Sequence, residues 1–181
     1  MAFTGIALLN VAATSVRIQT DAPAYDQTVS TGATDIVKLD LAGGAASVLT
    51  ITITNSAGLA KVGEIVIGTV FTVGTLRPKP SGGIKSYSTK TQDPYGNWEI
   101  VKRGFSEKLS PLVGVLNTRV DLVRDTLAEY IDTPAVFVGS TEYSVLILYG
   151  FLNDFSFVLA DSVLRSTFSM EIESLASKGS T

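Results

Sequence analysis

Ser47-Val48-Leu49-Thr50-Ile51-Thr52-Ile53-Thr54-Asn55 decides the class of the fold. In an extended chain Leu49, Ile51 and Ile53 fall on one side and Thr50, Thr52 and Thr54 on the other, the period of a half-buried strand. β-Branched residues on both sides favour a pleated surface over a helix. Upstream, Gly43-Gly44 permits a tight reversal after the short run Ile36-Val37-Lys38-Leu39-Asp40-Leu41, which reads as a second strand. Residues 25–34 are polar and Asp21-Ala22-Pro23 reads as a turn. Before it, Val16-Arg17-Ile18-Gln19-Thr20 alternates again, preceded by Leu8, Leu9 and Val11 among small residues. Downstream, Asn55-Ser56-Ala57-Gly58 turns the chain into residues 59–76. There Val62, Ile65, Val66, Ile67, Val70, Phe71 and Val73 are punctuated by Gly63, Gly68 and Gly74, as one or two strands bent at glycines would be.

Arg77-Pro78-Lys79-Pro80-Ser81-Gly82-Gly83 is the strongest break in the chain. It predicts a linker over 77–83 between a subdomain at 1–76 and a second at 84–176, with 177–181 a loose tail. Residues 84–90 and 98–109 read as the arms of a hairpin whose tip is Asp93-Pro94-Tyr95-Gly96-Asn97, proline early and glycine late. The spacing of Val120, Val123, Leu127 and Tyr130 or Ile131 predicts a single helix over 118–131. Asn117 or Thr118 would cap it, Asp121 lies in its first turn and Pro134 stops it. Strands are expected at 135–139, 144–151, 155–159 and 167–173, the last with Phe168, Met170 and Ile172 inward and Thr167, Ser169, Glu171 and Glu173 outward. No fixed-period repeat is visible, which excludes a solenoid or propeller. The class is mainly β, with one α-helix in the C-terminal subdomain.

Of 181 residues, 45% are hydrophobic and 17% charged, against roughly a quarter charged in ordinary domains, and the mean hydropathy is +0.32. Few charges are left to coat the exterior, so part of the surface is expected to be covered by other chains. A net charge of −3 and a pI of about 4.9 offer no cationic footprint for nucleic acid. The chain has no cysteine and no histidine. Disulfides, thiolate chemistry, imidazole bases and the usual zinc ligands are thereby removed. Met1-Ala2-Phe3-Thr4-Gly5 does not read as a secretory signal, and the most apolar stretch, 143–160, is short and broken by Asn153-Asp154. A soluble chain with no membrane or nucleic-acid partner and no cofactor is expected.

Three clusters are candidates for function. Asp121, Asp125 and Glu129 recur at four-residue steps on the helix, either as a cation or acid–base site or as a solvated face partnered by Arg119 and Arg124; the solvated face is the expectation. At the hairpin tip Asp93, Tyr95, Asn97 and Trp98 combine aromatic faces with planar hydrogen-bonding groups, as a sugar- or protein-binding loop would. The favoured alternative is a plain turn with Trp98 buried in the following strand. Lys102, Arg103 and Lys108, with Lys85 and Lys90 across the hairpin, could form a basic interface or simply protect a strand edge. With no phosphate loop, nucleophile elbow or glycosylation sequon, the chain does not read as an enzyme.

Residues 83–106 carry a resemblance. Ile84-Lys85-Ser86-Tyr87-Ser88-Thr89-Lys90, Asp93 with Tyr95-Gly96-Asn97, and Ile100-Val101-Lys102-Arg103-Gly104-Phe105-Ser106 are similar to a family of tailed-bacteriophage virion proteins with a Tyr-Ser-x-Lys stretch, a Phe-Gly-Asn-like turn and a Val-x-Arg-x-Phe/Trp-Ser strand. The similarity continues through Arg119-Val120, Thr133-Pro134-Ala135-Val136, Leu148-Tyr149-Gly150-Phe151 and Met170-Glu171-Ile172-Glu173. Ala7-Leu8-Leu9-Asn10-Val11, Val16-Arg17-Ile18, Tyr25-Asp26 and residues 61–68 resemble the β-sandwich that precedes this region in the family. Tyr95 stands where the family pattern has Phe, and the aromatic-rich carbohydrate-binding insert of longer members is missing. The resemblance implies an N-terminal β-sandwich and a structural role in the virion tail, at the baseplate, tail tip or collar. Such a subunit would be assembled in the host cytoplasm, self-associate and contact other phage tail proteins. A glycan-binding adhesin module is the alternative, with a neck or collar decoration protein as another.

Overall fold

The computed structural model describes residues 2–21, 24–30, 32, 34–41, 43–44, 46–160 and 163–175; the expected turn at Ala22-Pro23 and the tail at 177–181 lie outside them. The fold is mainly β with a single α-helix, divided into two compact units, Met1–Thr72 and Val73–Thr181.

In the first unit the strands are β1 (Gly5–Leu9), β2 (Ser15–Asp21), β3 (Ala24–Ser30), β4 (Ile36–Lys38), β5 (Leu49–Thr54) and β6 (Glu64–Gly68). They form two antiparallel sheets, ordered β4-β1-β6 and β3-β2-β5, that share one core as a sandwich. The central strands supply its middle: Ile6 and Leu8 from β1, Val16 and Ile18 from β2. Leu49, Ile51 and Ile53 of β5 pack onto this core while its threonines stay exposed, as their alternation predicts. Two strands differ from the sequence reading. β1 is buried along its whole length, so its apolar run shows no alternation. β3 turns Tyr25, Gln27 and Val29 inward, of which only Tyr25 and Val29 are apolar, and its polar residues are held by side-chain bonds. Arg17 Nε donates to Asp26 Oδ1 at 2.9 Å, and Lys38 Nζ donates to Gln27 Oε1 at 2.9 Å.

The second unit contains β7 (Thr75–Leu76), β8 (Ser81–Ser86), β9 (Thr89–Gln92), β10 (Trp98–Val101), β11 (Phe105–Ser110) and β12 (Leu112–Leu116). There follow α1 (Val120–Glu129), β13 (Ala135–Val138), β14 (Ile147–Val158) and β15 (Arg165–Ser174). Seven of these strands make one antiparallel sheet along the path β13-β14-β15-β11-β8, with β12 pairing β15 and β7. β11 and β12 occupy the same edge of β15 in succession, separated at Pro111, which has no N–H to give the ladder. α1 buries Val120, Val123 and Leu127 against Leu148, Leu152, Phe168, Met170 and Ile172.

The expected linker at 77–83 is corrected. The division falls after Thr72; Thr75 and Leu76 pair with Gly114 and Val113, Arg77 N donates to Leu112 O at 2.7 Å, and residues 81–83 already belong to β8. The proline–glycine segment is a connection inside the second unit. Neither Asn117 nor Thr118 caps the helix. Asn117 instead ties the β14–β15 connection, donating to Val163 O at 3.2 Å and accepting from Ser166 Oγ at 2.8 Å. The helix stops at Glu129 and the chain turns at Asp132, whose φ is 60°, before Pro134 is reached. The two strands expected at 144–151 and 155–159 are the single strand β14, with a bulge at Asn153 where the register slips between Leu152 and Asp154.

Candidate interaction surface

β8 through β11 form one antiparallel ribbon. β8 pairs with β11 from Ser81↔Ser110 to Ser86↔Phe105, Tyr87 N donates to Gly104 O, and β9 pairs with β10 from Thr89↔Val101 to Gln92↔Trp98. The root joins the large sheet through Lys108↔Glu173 and Leu109↔Ile172; among the described residues β9 and β10 have no further strand beside them. Every residue from 89 to 103 is exposed.

The tip is built around Asp93. Its carboxylate accepts from Asn97 Nδ2 at 2.9 Å and from the backbone N–H groups of Asn97 and Tyr95 at 2.8 and 2.9 Å, and these bonds hold it below the usual carboxylate range. Gly96 supplies the left-handed residue that closes the turn, at φ 87°. The four predicted tip residues are brought together, but Asp93 and Asn97 bond to each other, which leaves the two aromatic rings as the uncommitted groups of the tip. Tyr95 is 90% exposed and Trp98 63%. The expectation that Trp98 sits in the core is therefore corrected: its strand has no second layer to cover the ring.

The two faces of the ribbon differ in chemistry. On one, Ile84, Ile100 and Phe105 floor a shallow groove of about 650 Å³ bordered by Lys90, Lys102 and Arg103. Trp98 continues this face toward the tip, being in line with Ile100 along β10. Lys90, Lys102 and Arg103 form no ion pair among the described residues. Lys85, grouped with them by sequence, points to the opposite face and is tied to Glu173.

Glu173 is the anchor of the ribbon root. It accepts from the Tyr87 hydroxyl, from Ser106 Oγ at 2.8 Å, from Lys85 Nζ at 3.2 Å and from Asn153 Nδ2 at 3.2 Å. Lys108 Nζ lies 3.8 Å from it and 2.8 Å from Glu171. The Glu173 side chain is only 15% exposed, and the Tyr87 and Ser106 hydroxyls are the main causes that push its carboxyl down to about 2. The alternation of β15 places Glu173 on the outward face, where side chains from the neighbouring β11 and β8 and from Tyr87 cover it, and the bulge in β14 carries Asn153 to it.

On α1, Asp121, Asp125 and Glu129 are all exposed, and Asp125 Oδ1 accepts from Arg124 at 2.8 and 3.0 Å. Among the described residues no group of three or more acidic side chains is arranged to hold a metal ion, and no helix is long and apolar enough to cross a membrane. A further apolar surface lies at the β14–β15 connection, where Val158, Leu159, Val163 and Leu164 are exposed, Val163 at 96%. No family model, no curated protein and no solved structure matches this chain.

Proposed function

We propose that the chain is a non-enzymatic structural subunit of a tailed-phage virion, at the baseplate or tail tip, which self-associates and links the tail to appendages. The neck or collar is the alternative position. The observation that carries self-association is the exposed ribbon. A lone two-stranded hairpin is marginally stable at best, and this one keeps Trp98, Ile100 and Val101 uncovered at the far end of a root tied by Glu173. Val158, Leu159, Val163 and Leu164 add a second uncovered apolar surface. Apolar exposure of this kind marks interfaces, and it agrees with the low content of charge. Assignment to the tail is supported by the resemblance running from residue 83 to residue 173.

Light scattering coupled to size-exclusion chromatography tests the first part: a concentration-dependent oligomer is expected, and a monomer at every concentration overturns it. Electron microscopy of virions labelled with an antibody to this chain tests the second, with label expected at the tail end away from the head. The exposed rings of Tyr95 and Trp98 favour one other reading, a glycan-binding tip. A monomer that binds a glycan array through those two rings would establish it instead.

A further inference from the structure

We propose that the groove face of the ribbon docks on the outer face of α1 in a second copy of this chain; the inference rests on the self-association argued above and names the surfaces that make it. Residues 81–110 hold five of the chain's 14 basic residues and three of its 17 acidic ones, so the ribbon carries +2 and the remainder −5. Groove-to-groove meeting of two ribbons is disfavoured, because it brings the Lys90, Lys102 and Arg103 cluster of one copy against the same cluster of the other. The acceptor is therefore a different, acidic surface.

α1 offers one. At about 100° per residue, Asp121, Asp125, Glu129 and Leu122 fall within a single arc opposite the buried Val120, Val123 and Leu127. Leu122 is 55% exposed beside the carboxylates, as Ile100 is exposed beside the cations. Asp125 is already paired with Arg124, whereas Asp121 and Glu129 form no ion pair among the described residues. Dimensions agree: extended chain from Ile84 in β8 to Lys90 in β9 runs about 20 Å, and a helix the length of α1 about 15 Å. Because donor and acceptor are different surfaces, each copy can give its ribbon to one neighbour and its helix to another, a heterologous contact, unless the two are exchanged reciprocally across a twofold, which closes a dimer. Repeated head to tail, the contact closes a ring or continues as a helical stack, the geometries a tail axis needs.

Charge reversal on each side, K102E/R103E and D121K/E129K, tests the pairing by sedimentation velocity on the full chain at low salt. Each variant alone should associate about tenfold more weakly than the unaltered chain or worse. An equimolar mixture should regain association as an alternating assembly, since acidic ribbons then meet basic helices and the reverse. Variants that associate like the parent, or a mixture that stays dissociated, overturn this pairing while self-association stands. A parent chain that is monomeric throughout overturns both. Thermal melts of each variant check folding, and K102Q/R103Q with D121N/E129Q replace any reversal that unfolds.

Discussion

Glu173 shows how a residue read as solvent-facing becomes structural. Its folded carboxyl ionises at about 2, below the ordinary 4.5. Its contribution is therefore complete above about 4.5 and is lost as pH falls through about 2. Glu173→Gln should cost about 1.5–3 kcal/mol at neutral pH, the range for hydrogen bonds to a charged group. It should also flatten the acid limb of the stability curve, which denaturant melts at several pH values would measure. An unchanged acid limb would mean that other carboxylates carry it. The sequence holds no local sign of this anchor, because Tyr87, Ser106 and Asn153 converge on Glu173 only after three separate strands have paired.

Among the elements, legibility followed periodicity. β5 and β15 alternate cleanly and are where the alternation predicts, with Phe168, Met170 and Ile172 buried. α1 was legible from Val120, Val123 and Leu127, but its start was not, since Asn117 bonds across to the β14–β15 connection. β1 and β3 escaped because one is apolar on both sides and the other nearly polar on both. The ribbon was legible as a hairpin, and its isolation was not: strand sequence does not say whether a second layer will cover it. Two substitutions separate covered from uncovered elements. Leu127→Ala, in the core, should cost about 2–5 kcal/mol. Trp98→Ala should change the stability of the isolated chain by no more than about 0.5 kcal/mol, as at other exposed sites. Urea melts compare the two, and a large loss at Trp98 would mean that the ring is covered in solution.

At the scale of the molecule, each unit has its own core, and the ribbon lies outside both beyond its root. Excising residues 89–101 and closing Ser88 to Lys102 with an Asn-Gly turn should leave the melting temperature within a few degrees while abolishing self-association. Calorimetry and light scattering on the same sample read the two effects. A monomer with an unaltered melt is the expected result, and an intact oligomer would move the contact to the β14–β15 connection. Mechanically, the ribbon is a cantilever clamped at Glu173, on the strand hydrogen-bonded along both flanks within the large sheet. Tension applied at Trp98 would pass from β11 through the Glu173 contacts into a strand paired on both sides, so a neighbour could tug on the tip with the load shared across the sheet that carries it.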